Sequence, residues 1–247
     1  MRLLADLTPA DPAFGLAVEE VLLDAVRTDG VETIRLWRNQ RSIILGRSQS
    51  HAAEVDEARV SLLDIPVLRR LSGGGTVYHY PGNLNVSVFV RKRPELSVVS
   101  SVFEFFGNLL SDVLAFLTDD LHAEENGLYV GDRKIGGAAQ AHRGSGLLYH
   151  TTLLVQPSFV PMDTLLLAMQ PRYHASGIAS RPRLTTTLSE QAASPIEPQD
   201  LVTPIVDALA LGLKTSAEAG SLTTDEQERA VELQTRKYGS PEWNRKL

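Results

Sequence analysis

The segment Arg69-Arg70-Leu71-Ser72-Gly73-Gly74-Gly75-Thr76-Val77-Tyr78-His79 is the part of the chain best equipped for chemistry. Consecutive glycines let the backbone approach a ligand and turn several N–H donors toward one anion. Arg70, just before them, can offer a guanidinium fork to a phosphate or carboxylate. No Lys-Ser/Thr follows the glycines, so this is not a Walker loop. The GxGxxG spacing of a dinucleotide fold is also missing. The competing reading is a tight turn that uses glycine for its conformation alone.

A second segment runs Gly131-Asp132-Arg133-Lys134-Ile135-Gly136-Gly137-Ala138-Ala139-Gln140. Small residues after Lys134 leave room for a ligand above it, and its ammonium can neutralise a carboxylate or phosphate. A solvated hairpin lysine is the alternative. Arg133 takes that solvated role, because neighbouring strand residues face opposite ways. His79 and His150 read as core or pocket-wall residues with satisfied ring nitrogens, since they lack metal-ligand spacing. Asn83 brackets the glycine loop, and Asn126 precedes the hairpin, where it can meet phosphate or magnesium. Either asparagine also suits a plain turn. Trp37 and Trp243 read as packing residues. Ser72 has no assigned base or acid, and no GxSxG elbow is present, so a nucleophilic triad is disfavoured.

The 247 residues suffice for one substantial core. With Cys 0, disulfides, thiolate metal sites and a cysteine nucleophile are excluded. A net charge of -6 gives no support for general nucleic-acid binding. The N-terminus lacks the pattern of a signal peptide, and no uninterrupted apolar run approaches a membrane span. The expected location is the cytoplasm.

To position these segments, the pattern predicts a strand over 2–7 and a helix over 12–28, capped by Asp11 with Pro12 in the first turn. Strands follow at 33–37, 42–46 and 84–90, with a short helix over 51–62. A long helix is expected over 98–117, then a hairpin of 128–130 and 134–139 about Gly-Asp, and a strand at 147–155. A short helix is expected over 159–169, a loop over 171–184, and helices near 198–213 and 224–237. The closing YGSPEWNRKL is expected to be ordered by its aromatics. Hairpin-paired strands broken by helices predict an α+β class in a single domain over 1–247.

Taken together, these segments resemble the catalytic domain of the lipoate–protein ligase A family. The resemblance rests on RRLSGGGTVYHYPGNLNVSVFV (69–90) and NGLYVGDRKIGGAAQAHRGSGLLYHTTLLV (126–155). LWRNQRSIILGRSQS (36–50), GIASRPRLTTTLSE (177–190) and KYGSPEWN (237–244) flank them in the family's order. It implies a mixed, mostly antiparallel β-sheet core flanked by helices, as in biotin/lipoate protein ligases. It also implies that Arg70, Ser72, Gly73, Gly74, Gly75, Thr76, Val77 and Tyr78 hold lipoate and the adenylate phosphate. The family lysine falls on Lys134, and His79, Asn83, Gly137, Ala138 and His150 match neighbouring pocket positions.

The implied reaction joins lipoate to ATP, with Mg2+, giving lipoyl-AMP. The lipoyl group then passes to a lysine of a lipoyl-carrier domain, in a 2-oxoacid dehydrogenase complex or the glycine cleavage H protein. Three departures stand out. Gly127 follows Asn126 where the family often has aspartate. Gly136-Gly137 replaces a hydroxyl-bearing pattern. The small accessory domain of many members is not recognisable, so a separate accessory protein is an expected partner. Alternatives are an octanoyl or lipoyl transferase working without ATP, a biotin–protein ligase, and a non-catalytic lipoate or adenylate sensor. The transferase class uses a cysteine that this chain lacks.

Overall fold

The computed structural model describes residues 1–171 and 173–247. The chain opens with β1 (Arg2–Ala10) and α1 (Pro12–Thr28). The Asp11 carboxylate accepts the Phe14 N–H at 2.9 Å and Pro12 occupies the first turn, the start read from the sequence. Then come β2 (Thr33–Asn39), β3 (Ser42–Leu45), α2 (His51–Glu54), α3 (Glu57–Leu62), β4 (Val67–Arg69), β5 (Val77–His79) and β6 (Asn83–Arg91). The central helix α4 (Val99–Leu114) leads to β7 (Leu121–Glu124), β8 (Gly127–Val130), β9 (Arg133–Arg143) and β10 (Gly146–Leu154). The chain closes with α5 (Leu188–Gln191), α6 (Val202–Gly212), β11 (Glu218–Ala219), α7 (Thr224–Leu233) and α8 (Pro241–Asn244).

The large sheet has the order β11-β1-β2-β6-β10-β9-β8-β7, and a small one the order β4-β3-β5. Pairs β1–β11, β1–β2 and β3–β4 are parallel, and the others are antiparallel. The expected mixed, mostly antiparallel α+β architecture is therefore present. One core lies between the large sheet and α4 with α6, built on Val86, Val88, Phe106, Leu110, Tyr149 and Ile205. Each fully buried side chain of this size contributes roughly 1.5–3 kcal/mol. A second core sits beneath α1, and a third joins the small sheet to residues around Leu165. The segment Val99–Leu117 is long and apolar enough to cross a membrane on those grounds alone. Val102, Phe106, Leu110 and Leu114 are instead spent on the protein core.

Two expected helices come out differently. Residues 51–62 break at Val55, which is extended and forms a β-bridge with Leu166. Residues 159–169 form two isolated 3-10 turns, Met162–Thr164 and Leu167–Met169. Pro157 and Pro161 interrupt the entry, and Leu165 and Leu166 are drawn onto the small sheet. The C-terminal helix widens into a π-helical turn at Gln234–Tyr238, where Tyr238 is buried beside Glu20. Trp243 then donates its indole N–H to the Arg69 carbonyl at 2.7 Å, fastening the terminus as expected.

Candidate active site

A cavity of about 890 Å³ lies over the large sheet. The glycine loop supplies one wall through Gly74, Gly75, Thr76 and Val77, and β9 supplies another through Lys134, Gly137 and Ala138. The loop tip leans on that strand: a Cβ at Gly74 would stand 3.7 Å from the Ala139 Cβ. Gly74 has φ +85°, which only glycine adopts without strain, and Gly46 lets the Gly74 carbonyl pass where a Cβ would stand 2.0 Å away. Glycine here serves the loop's own conformation and its close packing against Gly46, as the tight-turn reading requires.

Arg70 departs from its expected task. It is buried and borders the cavity, but its guanidinium is turned onto its own loop. Nε donates to Ser72 Oγ at 2.9 Å, Nη1 to the Ile44 carbonyl at 3.2 Å, and Nη2 to the carbonyls of Gly73 and Gly75. The fork shapes the loop that would hold a phosphate; it is not extended toward one. Burial lowers its pKa to about 10, partly countered by Glu19, so it stays charged at neutral pH.

His150 is a cavity-wall residue with both ring nitrogens satisfied, as read, whereas Ser72 differs from expectation. His150 Nδ1 lies 2.8 Å from Glu19 Oε1, and its Nε2 lies 2.7 Å from Ser72 Oγ. A base and an acid therefore do stand behind Ser72, although the sequence suggested none. Yet Ser72 does not border the cavity, and the Arg70 N–H it receives makes its oxygen less nucleophilic. The trio is thus a brace: Glu19 and Ser72 hold the His150 ring, which does border the cavity. Gly73, likewise outside the cavity wall, has open space around it.

His79 is a satisfied wall residue, as read. Its Nδ1 pairs with Asn39 Nδ2 at 3.0 Å and its Nε2 with Thr152 Oγ1 at 2.9 Å. Since the amide donates, Nε2 carries the proton, and Thr152 passes its own to Asn85 Oδ1 at 2.8 Å. Burial drives the His79 pKa down to about 3, so the ring is neutral. Tyr78 also borders the cavity, with its ring packed in the third core.

Asn83 is a correction. Its side chain accepts the Tyr80 N–H at 2.7 Å and closes the turn into β6, away from the cavity. Two residues on, Asn85 and then Ser87 reach the cavity instead. Trp37 is a correction of the opposite kind. It is buried, as a packing residue should be, but it also walls the cavity. Its indole N–H donates to Ser87 Oγ at 2.9 Å, which in turn donates to Glu19 at 2.7 Å. Trp243 stays with Arg69, as expected.

Lys134 is half-buried on the cavity wall and, among the described residues, forms no ion pair or hydrogen bond through its ammonium. Burial, then nearby Arg183, lowers its pKa below the ordinary 10.5, against a smaller pull from Glu125. Arg133 is exposed. Asn126 borders the cavity and donates Nδ2 to the Ala138 carbonyl at 3.1 Å, leaving Oδ1 free. A Cβ at Gly127 would stand 2.6–2.8 Å from Tyr129 ring and hydroxyl atoms, so the Tyr129 side chain occupies the space in which a side chain at 127 would start. Among the described residues no cluster of three or more acidic or histidine side chains is arranged around a metal.

Glu19 was the main residue missed. Its signal was present: a carboxylate between Leu16 and Leu23 on the buried stripe of α1. Ile178, Ser180, Arg181 and Arg183, from a loop read only as a loop, also border the cavity.

The lipoyl protein ligase A/B catalytic domain model matches residues 11–210. The chain belongs to this family. It is 28% identical to lipoate-protein ligase A subunit 1 of Thermoplasma acidophilum over 259 residues, covering 98% of this chain and 95% of that one. A relative from Aeropyrum pernix is 36% identical over 149 residues, and the match spans 60% of this chain and 55% of that protein. Among solved structures, a bi-partite lipoate protein ligase with its E2 lipoyl domain from Thermoplasma acidophilum is 25% identical. It superposes with TM-score 0.85 over 99% of this chain and 95% of that one. Lipoate-protein ligase A bound with ATP is 25% identical, with TM-score 0.80 over 99% and 98%. In this member of the family the glycine loop and the strand that carries Lys134 border one cavity.

Proposed function

We propose that the chain activates lipoate with ATP to lipoyl-AMP and passes the lipoyl group to a lysine of a lipoyl-carrier domain. The observation that carries this reading is Lys134. An uncompensated, half-buried ammonium on a cavity wall calls for an anionic ligand. Arg183 borders the same cavity and adds to the positive field, whereas Arg181 is paired with Glu125 at 3.6 Å. The apolar wall of Leu16, Trp37 and Leu154 suits an acyl chain, and the N–H groups of Gly74 and Gly75 suit a phosphate.

In the first step the lipoate carboxylate attacks the α-phosphorus, pyrophosphate leaves, and a mixed anhydride forms. Lys134 holds the carboxylate in line and offsets charge building on the phosphoryl oxygens. In the second step the acceptor amine attacks the acyl carbon, giving an amide and releasing AMP. His150, with both ring nitrogens held by Glu19 and Ser72, supplies a fixed polar wall beside the reacting groups. Asn126 Oδ1, which has no partner among the described residues, is the atom that would hold Mg2+, an ion that needs only one or two protein oxygens beside water and phosphate. Bound there, Mg2+ supplies charge neutralisation at the phosphates.

The solved relative described as bi-partite, together with an E2 lipoyl domain, supports a lipoyl domain as acceptor and a separate accessory polypeptide as a second partner. A transferase passing through an acyl-enzyme is less supported. The chain has Cys 0, and Ser72 is walled off from the cavity.

The test incubates the chain with ATP, Mg2+, lipoate and an unmodified lipoyl domain, and reads the intact mass of that domain. A lipoyl-sized gain that needs ATP and is lost in Lys134→Ala supports the reading. If none appears, chemically made lipoyl-AMP is supplied. Transfer then points to a ligase awaiting its partner polypeptide, and no transfer overturns the reading.

A further inference from the structure

Glu54, the last residue of α2, is completely buried, yet no lysine, arginine or histidine forms an ion pair with it among the described residues. Two separate segments meet at its carboxylate. From the glycine loop, the Thr76 hydroxyl lies 3.2 Å from Oε2 and 2.9 Å from Gln49 Oε1, so its one proton is shared between the two acceptors. From the loop over the cavity, Ser180 donates its hydroxyl to Oε2 at 2.6 Å and its N–H toward Oε1 at 3.4 Å, and the Tyr173 hydroxyl donates to Oε1. Glu54 does not border the cavity, whereas Thr76 and Ser180 both do.

The Ser180 hydroxyl is saturated. It donates its one proton to Glu54 and accepts the Thr76 N–H at 3.0 Å and the Gln49 amide at 3.0 Å. Gln49 Oε1 accepts the Thr76 hydroxyl and the Gly46 N–H, both at 2.9 Å. Glu54 accepts from both loops, and this orders the hydroxyls around it. An amide in its place keeps an acceptor on one side only: its N–H would face either the Ser180 hydroxyl, whose lone pairs are taken, or the Tyr173 hydroxyl, which already accepts the Ser180 N–H at 3.2 Å. The approach is also tight, since a Cβ on Gly75 would stand 3.1 Å from Ser180 Oγ.

We propose that Glu54 is a positioning residue for the nucleotide: it clamps the glycine loop and the 173–180 loop in one register, so that the N–H groups of Gly74 and Gly75 face the phosphates. This rests on the functional reading above. The acyl end of the cavity, around Leu16 and Trp37, is built on α1 and β2 and does not use this clamp. Disturbing Glu54 should therefore separate the two substrates.

The experiment compares Glu54→Gln, Ser180→Ala and the milder Tyr173→Phe, which removes one donor at the rim. Amide exchange at residues 73–76, followed without ligand, is read beside titration calorimetry with ATP and, separately, lipoate. Expected are at least tenfold faster exchange and tenfold weaker ATP binding in Glu54→Gln and Ser180→Ala. Lipoate affinity should stay within twofold, and Tyr173→Phe should lie between them and the wild type. Equal loss of both ligands with a collapsed melting transition in Glu54→Gln and Ser180→Ala, and no selective ATP effect in Tyr173→Phe, would overturn the proposal. So would ATP binding at the wild-type level despite faster exchange. Wild-type protein that binds neither ligand would overturn the functional reading instead, while the exchange data would still judge the clamp.

Discussion

His150 and Glu19 meet at 2.8 Å across the interface of β10 and α1, joining a cavity-wall ring to a fully buried carboxylate. Burial by itself would raise the Glu19 pKa. The charge of His150 and hydrogen bonds from His150 and Ser87 outweigh it, and the pKa is held below the ordinary 4.5. A carboxylate held low in the native state adds stability that is fully present above 4.5. That stability is lost as pH falls through the lowered native value. Glu19→Gln should cost about 1.5–3 kcal/mol at pH 7, the range for a hydrogen bond to a charged group. It should also flatten the loss of stability below pH 4.5. Denaturant melts at pH 7 and below pH 4.5 check both.

Lys134 combines a functional role with a folding cost. Its pKa is lowered, so the unfolded chain holds this proton more tightly than the folded one does. Between the lowered value and 10.5 the unfolded state binds more protons, and stability rises with pH. Lys134→Met should therefore leave the melting temperature unchanged or slightly higher. Adenylate formation should fall at least a hundredfold, as when a positioned electrostatic group is removed. In the wild type, activity should decline on the alkaline side at a pH below 10.5. Pyrophosphate-exchange rates against pH, with melting curves on the same samples, provide the measurement.

The local parts of this site were legible because their signals lie within a few residues. A glycine run with an adjoining arginine and a lysine ahead of small residues point to their chemistry without knowledge of the sheet. The failures have physical causes. Asn83 and Asn85 share a strand, and only the turn geometry at Tyr80 decides that Asn83 is used up in closing it. Glu19 finds His150 through strand register, at a sequence separation of 131 that no spacing rule covers. The 159–169 stretch has helical composition, but tertiary packing of Leu165 and Leu166 overrides that propensity. Arg70 was correctly placed, but its direction depends on carbonyls from β3 and the loop itself.

The glycines of the loop are not equivalent. Gly73 has no neighbour within 4 Å of a built Cβ, whereas Gly74 has φ +85° with the Arg70 guanidinium 3.0 Å away. Gly73→Ala should stay within about 0.5 kcal/mol of wild type, as at an unencumbered surface position. Gly74→Ala should lose about 1–2 kcal/mol from the left-handed conformation alone. Gly46→Ala, facing a carbonyl oxygen at 2.0 Å, must push the loop outward and should weaken ATP binding most. Melting curves and ATP titrations of the three variants would rank them.

His79 sets a second pH window, separate from that of Glu19. Burial lowers its pKa to about 3, so the native ring stays neutral where the unfolded chain, near 6.5, takes up a proton. Its stability contribution is therefore complete above 6.5 and drains as pH falls below that value. Two pH units inside this window correspond to about 2–3 kcal/mol, at 1.36 kcal/mol per unit. Replacing His79 with glutamine keeps an acceptor for Asn39 and a donor for Thr152 but removes the titration. The variant should lose the stability slope between pH 6.5 and 4.5 and keep the steeper fall below 4.5, which Glu19 provides. In the wild type, the ring carbon resonances of His79 should not titrate between pH 5 and 9. A titrating His79 signal in that range would mean that the Asn39–His79–Thr152 relay is not closed in solution.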